Sequence, residues 1–372
     1  MTRTDAAAAE KYWAYVGTYT NSKESPSEGI YLLEFDAATG ALTPKGAAAG
    51  AANPSYLAVH PGGKTLYAVN EVGEFEGEES GSVTAFALDA ATGALTQLNQ
   101  QSSKGAIPCH LAVDPTGKLV VAANYAGGSV VGLPIGPDGS LKPASAYIKH
   151  HGKSVDPARQ TAPFAHSATF DLTGSRVLVA DLGIDQVLVY DVDPAAGALT
   201  PLDPPGVKIS PGSGPRHLAW HPSGKHAYVI NELKNTVTVL EYDAEAGTLK
   251  VIQTVSTLPG DFDGTSHCAA ISVHPSGNFV YGSNRGHDSL AVFTVDPATG
   301  TLTPSGWTPT GGKNPRDFAI DPTGRWLLAE NQDSDSILVF KIDQATGALT
   351  ATGEPVSIPK PVCVRFVARP TY

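Results

Sequence analysis

The chain has 372 residues, 41% hydrophobic and 16% charged, a balance that excludes a disordered polypeptide. A net charge of −11 argues against nucleic acid or anionic membrane as a partner, yet leaves room for a cationic pocket that takes a small anion. No window approaches the roughly 18 apolar residues of a membrane span, and the opening MTRTDAAAAEKYW lacks the apolar stretch of a signal peptide, so a cytoplasmic protein is expected.

In chain order, residues 1–11 read as a tail outside the fold. Three strands are then predicted at Tyr12 to Tyr19, Gly29 to Asp36 and Ala41 to Pro44, from alternating apolar positions and β-branched or aromatic residues. Six similar units follow. They are recognised by NPSYLAVHPGG from Asn53, IPCHLAVDPTG from Ile107, AHSATFDLTG from Ala165, GPRHLAWHPSG from Gly214, CAAISVHPSG from Cys268 and NPRDFAIDPTG from Asn314. The spacing is about 50 residues, within the range of propeller blades. The unit from Gly214 shows the plan. His217 to Trp220 is a first strand and Pro222 to Gly224 a tight turn. Ala227 to Asn231 is a second strand, Thr236 to Tyr242 a third, and a fourth begins near Leu249.

The N-terminal unit lacks a first strand, and Lys360 to Ala368 supplies one. The expected fold is therefore all-β. It is a single domain, 1–372, forming a seven-bladed β-propeller of four-stranded antiparallel blades, closed by pairing the N- and C-terminal strands in one blade. Such closure removes exposed sheet edges.

The repeat also separates architecture from chemistry. Antiparallel neighbours joined by one turn put the start of the first strand and the end of the second on the same side. Aligned on the turn glycine, the first column reads Ser55, Cys109, His166, Arg216, Ala269 and Arg316, and the next reads Tyr56, His110, Ser167, His217, Ala270 and Asp317. Asn70, Asn124, Asp181, Asn231, Asn284 and Asn331 close the second strands and read as satisfying local backbone groups. The positions after them are Glu71, Tyr125, Leu182, Glu232, Arg285 and Gln332. The variable columns thus ring one mouth with histidine, arginine and glutamate. His60, His221 and His274 stand where other units have Asp, and read as turn residues.

Other features carry less. Cys109, Cys268 and Cys363 lack metal-site spacing and read as buried free thiols in a reducing compartment. Lys149 to Pro163 is an insertion able to overhang the mouth, and its His150-His151 pair has no third ligand. The acidic run Glu71 to Glu79 reads as a solvated loop. No GxSxG elbow or P-loop occurs. No metal or cofactor is expected.

From YVGTYT to PVCVRF, through PCHLAVDPTG, VLVADLG, GPRHLAWHPSG, VINE, SNRGHDS, NPRDFAIDPTG and ENQDSDS, the chain resembles the seven-bladed lactonase family. That family includes propeller-type 6-phosphogluconolactonases and carboxymuconate cyclases. The resemblance implies a catalytic set of His166, Arg216, Glu232 and Arg285. Phe164 and Ala270 depart from the family, which often has His and an acidic residue there.

The expected substrate is a small anionic sugar-acid lactone. His166 would activate water, Arg216 stabilise the oxyanion and Glu232 hold charge states, while Arg285 or Arg316 binds the anionic group. His110, Tyr125, His217, Arg316 and Gln332 are the expected substrate-binding residues. A muconolactone cycloisomerase and a non-catalytic binding propeller remain as alternatives.

Overall fold

The computed structural model describes residues 10–370. Seven four-stranded antiparallel sheets follow one another around a ring. Blades one to six run from Leu57 to Ser102, Pro108 to Lys149, Ala165 to Lys208, Pro215 to Ser256, His267 to Pro309 and Pro315 to Ser357. The composite blade takes its inner strand, Pro361–Ala368, from the C-terminus and its other strands, Lys11–Thr18, Gly29–Asp36 and Ala41–Gly50, from the N-terminus. The two termini pair antiparallel, with Tyr12 opposite Ala368 and Val16 opposite Val364. Lys11 is therefore already in a strand, and residues 1–9 of the expected tail lie outside the described residues. The single helical element among the described residues is a 3₁₀ turn, Gln332–Ser334.

The core is distributed between blades. Seven apolar clusters each draw on two neighbouring blades. The second strands are buried along almost their whole length: Leu119–Asn124 and Trp326–Asn331 are buried throughout. A strand flanked by a neighbour on both faces buries both sets of alternating side chains, which explains their continuous apolar reading.

Polar pins fix blade to blade. Buried Tyr15, Tyr67, Tyr228 and Tyr281 donate their hydroxyls to Gly93, Gly139, Gly300 and Gly347 carbonyls in the next blade, at 2.8–3.0 Å. His60, His221 and His274 bridge to the turn carbonyls of Gly117, Gly277 and Gly324, so they are turn residues as expected. Trp326 Nε1 donates to the Ala37 carbonyl at 2.9 Å and ties blade six to the composite blade. The Asn column is structural too: Asn70, Asn124, Asn284 and Asn331 each donate from Nδ2 to a backbone carbonyl at 2.9 Å.

One irregularity positions the site. Where the inner strands enter blades two, three, four and six, the register slips by one residue at the same place. Pro108 and His110 pair with successive residues, as do Ala165 and Ser167, Pro215 and His217, and Pro315 and Asp317. The residue skipped is Cys109, His166, Arg216 or Arg316. A β-bulge leaves its extra residue unpaired and re-aims the side chain. Four residues of the repeat's first column are thus bulged residues clustered around the channel.

Candidate active site

Glu232 is the hub of the mouth. It follows Asn231 at the end of the second strand of blade four, and its side chain is 6% exposed. Three guanidinium groups converge on it. Arg216 Nε lies 3.1 Å from Oε2, Arg285 Nη2 2.9 Å from Oε2, and Arg159 Nη2 2.6 Å from Oε1. Burial alone would raise the carboxyl pKa, but the Arg285 and Arg216 charges outweigh it and hold the group well below the usual carboxylate range. Glu232 is therefore an anion at any working pH.

Arg216 is almost wholly enclosed. Its Nη1 donates to the Ala269 carbonyl at 2.7 Å and lies 3.2 Å from His217 Nε2. Burial, with the neighbouring charges of Arg285 and Arg316, lowers its pKa to about 10, which still leaves it a cation at neutral pH. Arg285 reaches back to its own blade, with Nε donating to the His267 carbonyl at 3.2 Å and Nη2 to that of Cys268 at 3.1 Å. The glycine after it has φ +98°, and a Cβ there would collide with the Thr265 carbonyl, so this turn requires Gly286.

His166 completes the cluster. Its ring is edge-on to Tyr125 at 5.3 Å and to His217 at 5.4 Å. The Cys109 thiol donates to the His166 carbonyl at 3.3 Å, and its sulfur lies 3.6 Å from Nδ1. In the tautomer whose Nδ1–H points at that sulfur, Nε2 is left bare. Burial, aided by Arg216 and opposed by Glu232, holds the imidazole pKa well below its usual value, so the ring is neutral and able to accept a proton.

The mouth has two walls. On one side, a cavity of about 530 Å³ is lined by Arg159, Glu232, His267, Arg285 and Lys313, among others. On the other, a narrow well is lined by Ser55, Glu71, Cys109, Arg216 and Arg316. There Arg316 lies over the Tyr19 ring at 5.2 Å, and Glu71 accepts from Tyr19 Oη at 2.9 Å and from Ser55 Oγ at 2.5 Å. Glu71 therefore belongs to the site, not to a solvated loop.

Beneath the cluster the channel is plugged. Tyr56, His110 and His217 pack together with ring centroids 4.0–5.7 Å apart. His110 faces the opposite opening, with Asp317 and Arg365, rather than the arginine mouth. His217 spans both levels. Tyr125 stacks on Phe164 at 4.9 Å, so the residue at the departing family position supports a wall of the site. Gln332 opens the 3₁₀ turn and donates to Asp333 Oδ1 at 3.2 Å. Ala270 is buried in the blade five–blade six core. His150 bonds Asp181 at 2.6 Å and the Tyr190 hydroxyl at 2.9 Å, which makes it an anchor of the insertion. Among the described residues, no group of three or more His, Cys, Asp and Glu is placed to hold a metal ion.

A second buried pair lies below the plug. Glu330 is opposite Asp317 across blade six, and neither of its oxygens has a hydrogen-bond partner. Burial and the Asp317 charge push its carboxyl well above the usual range. A raised folded-state pKa gives stability that is present below the unfolded value and lost as pH rises through the folded one. Glu330→Gln, which cannot ionise, is thus expected to gain stability relative to the parent as pH rises. Urea midpoints at pH 4.5 and pH 8 should show the gap widening by about 1 kcal/mol or more; a constant gap would contradict a buried neutral acid.

Comparison with known proteins agrees with this architecture. The family model described as Lactonase, 7-bladed beta-propeller matches residues 13–366. The chain belongs to this lactonase family. A 6-phosphogluconolactonase of Bacillus subtilis is 41% identical over 96% of this chain and 99% of its own length. One from Formosa agariphila is 33% identical over 82% of this chain and 85% of its own. The structure of the periplasmic gluconolactonase of Pseudomonas aeruginosa superposes with a TM-score of 0.90 at 36% identity, covering 97% of this chain and 100% of that one.

Proposed function

We propose that this lactonase-family chain hydrolyses a sugar-acid lactone, with 6-phosphogluconolactone as its substrate. The observation that carries the reading is the convergence of three arginines on one buried glutamate beside a neutral histidine. The cluster keeps an excess of positive charge where an anionic substrate and a developing oxyanion would sit.

In this mechanism His166 Nε2 takes a proton from water as the oxygen attacks the lactone carbonyl carbon. The carbonyl oxygen becomes an oxyanion held by Arg216, whose fixed bonds to Glu232 and Ala269 orient it without reorganisation. The intermediate collapses by breaking the bond from the carbonyl carbon to the ring oxygen. The His166 imidazolium returns its proton to that oxygen, and the open hydroxy acid leaves. Glu232 favours the transient imidazolium through its charge and keeps the guanidinia together. Arg285 binds the anionic group, and Arg316 and Tyr125 contact the sugar. The three buried free thiols support a cytoplasmic site of action, although the Pseudomonas relative is periplasmic.

Hydrolysis of 6-phosphogluconolactone, followed by acid release above the spontaneous rate, tests the reading. Turnover with a kcat of about 1 s⁻¹ or more is expected. Activity on a carboxymuconate but not on the sugar lactone would favour the cycloisomerase. If neither is turned over and neither raises the melting temperature, a binding propeller is favoured.

A further inference from the structure

Arg159 lies in the insertion between blades two and three, where no repeat position predicts it. Its guanidinium has two side-chain neighbours: Glu232 Oε1 at 2.6 Å and the Tyr125 hydroxyl at 3.5 Å. The other two arginines on Glu232 are also tied to backbone carbonyls of blade five. Arg159 is tied to none, and its side chain is 36% exposed at the edge of the 530 Å³ cavity. The loop beneath it is firmly held. His150 is fixed by Asp181 and Tyr190, Ser154 Oγ donates to Asp185 at 2.6 Å, and Gln160 Nε2 donates to the Leu182 carbonyl at 2.8 Å. A rigid stem thus presents one guanidinium that can exchange its partner.

Charge indicates what it exchanges for. Three guanidinia share the one carboxylate of Glu232, which leaves two positive charges in excess. Of the other acids lining this wall, Asp288 is paired with Lys313 at 3.1 Å and Asp333 lies 3.5 Å from Lys360 Nζ. The opposite wall holds Glu71 beside Arg316, which makes it the poorer place for a dianion. A phosphate monoester carries close to two negative charges at neutral pH, and planar guanidinia bind its oxygens in pairs. We propose that Arg159 leaves Glu232 on substrate binding and, with Arg285, forms a phosphate subsite, so that this arginine selects phosphorylated over unphosphorylated sugar lactones.

This inference rests on the lactonase reading, and its test separates the two. The wild type, Arg159→Gln and Arg159→Lys are assayed with 6-phosphogluconolactone and with unphosphorylated gluconolactone. The kcat/KM ratio of the phosphorylated to the unphosphorylated lactone should fall about tenfold or more in Arg159→Gln and recover in part in Arg159→Lys. Inorganic phosphate, titrated calorimetrically into the same three proteins, should bind about tenfold more weakly to Arg159→Gln. An unchanged ratio together with unchanged phosphate affinity would overturn the subsite. Failure of the wild type to hydrolyse either lactone would instead overturn the lactonase reading, and phosphate binding would still decide the role of Arg159. Melting temperatures verify that the variants fold, since Arg159 lies on the loop surface.

Discussion

His166→Ala is expected to lower kcat by about 10²–10⁴-fold, the usual contribution of a positioned general base. The melting temperature should move by only a few degrees, because the ring is held by one weak thiol contact and two edge-on aromatic contacts. The pH profile supplies a second signature. Burial keeps the imidazole pKa well below its ordinary value, so the base form persists into mildly acidic solution. The kcat/KM of the wild type should therefore not fall near pH 6.5, where an ordinary histidine would begin to protonate. A full-activity alanine variant, or a limb centred near pH 6.5, would remove His166 from the base role.

Glu232→Leu is expected to cost more in stability than any other single change at the mouth. It would leave three guanidinia, Arg216 among them nearly fully buried, without their shared counter-charge. Breaking a buried ion network from one side typically costs about 3–5 kcal/mol. The sign with pH follows from the depressed carboxyl pKa. The contribution of Glu232 is fully present above the unfolded value near 4.3 and is lost only as pH falls through the lower folded value. The difference between variant and wild type should therefore be constant from pH 6 to 8 in urea titrations. Adding Arg285→Leu to Glu232→Leu should restore part of the loss, because it removes one unbalanced charge. If Glu232→Leu unfolds at the same urea concentration as the wild type, the hub is not a stabilising network.

Much of this was legible in the sequence because the blades repeat. The turn glycines set a common register, and Asn70 or Asn231 could be assigned to architecture simply because each unit has an equivalent. His166, Arg216, Glu232 and Arg285 stood out for the opposite reason, and the structure brings them to one mouth. What remained hidden has physical causes. The bulge that clusters Cys109, His166, Arg216 and Arg316 around the channel leaves no trace in composition, since it changes pairing and not residue type. Without it, the sequence offers His110 for substrate and reads Cys109 as a plain buried thiol. In the fold Cys109 supports His166, and His110 lies in the plug facing the other opening. Arg159 was out of reach because an insertion has no counterpart to align with. Glu71 reads as part of a solvated run because nothing local marks its partners, Tyr19 from the composite blade and Ser55 sixteen residues earlier.

A crystal of His166→Ala soaked with 6-phosphogluconate tests the central claim most directly, because the product stays intact and both openings of the channel are available to it. The account predicts the carboxylate against Arg216 and the phosphate between Arg159 and Arg285. Product bound in the opposite opening, beside His110, Asp317 and Arg365, or no bound product at saturating concentration, would contradict it.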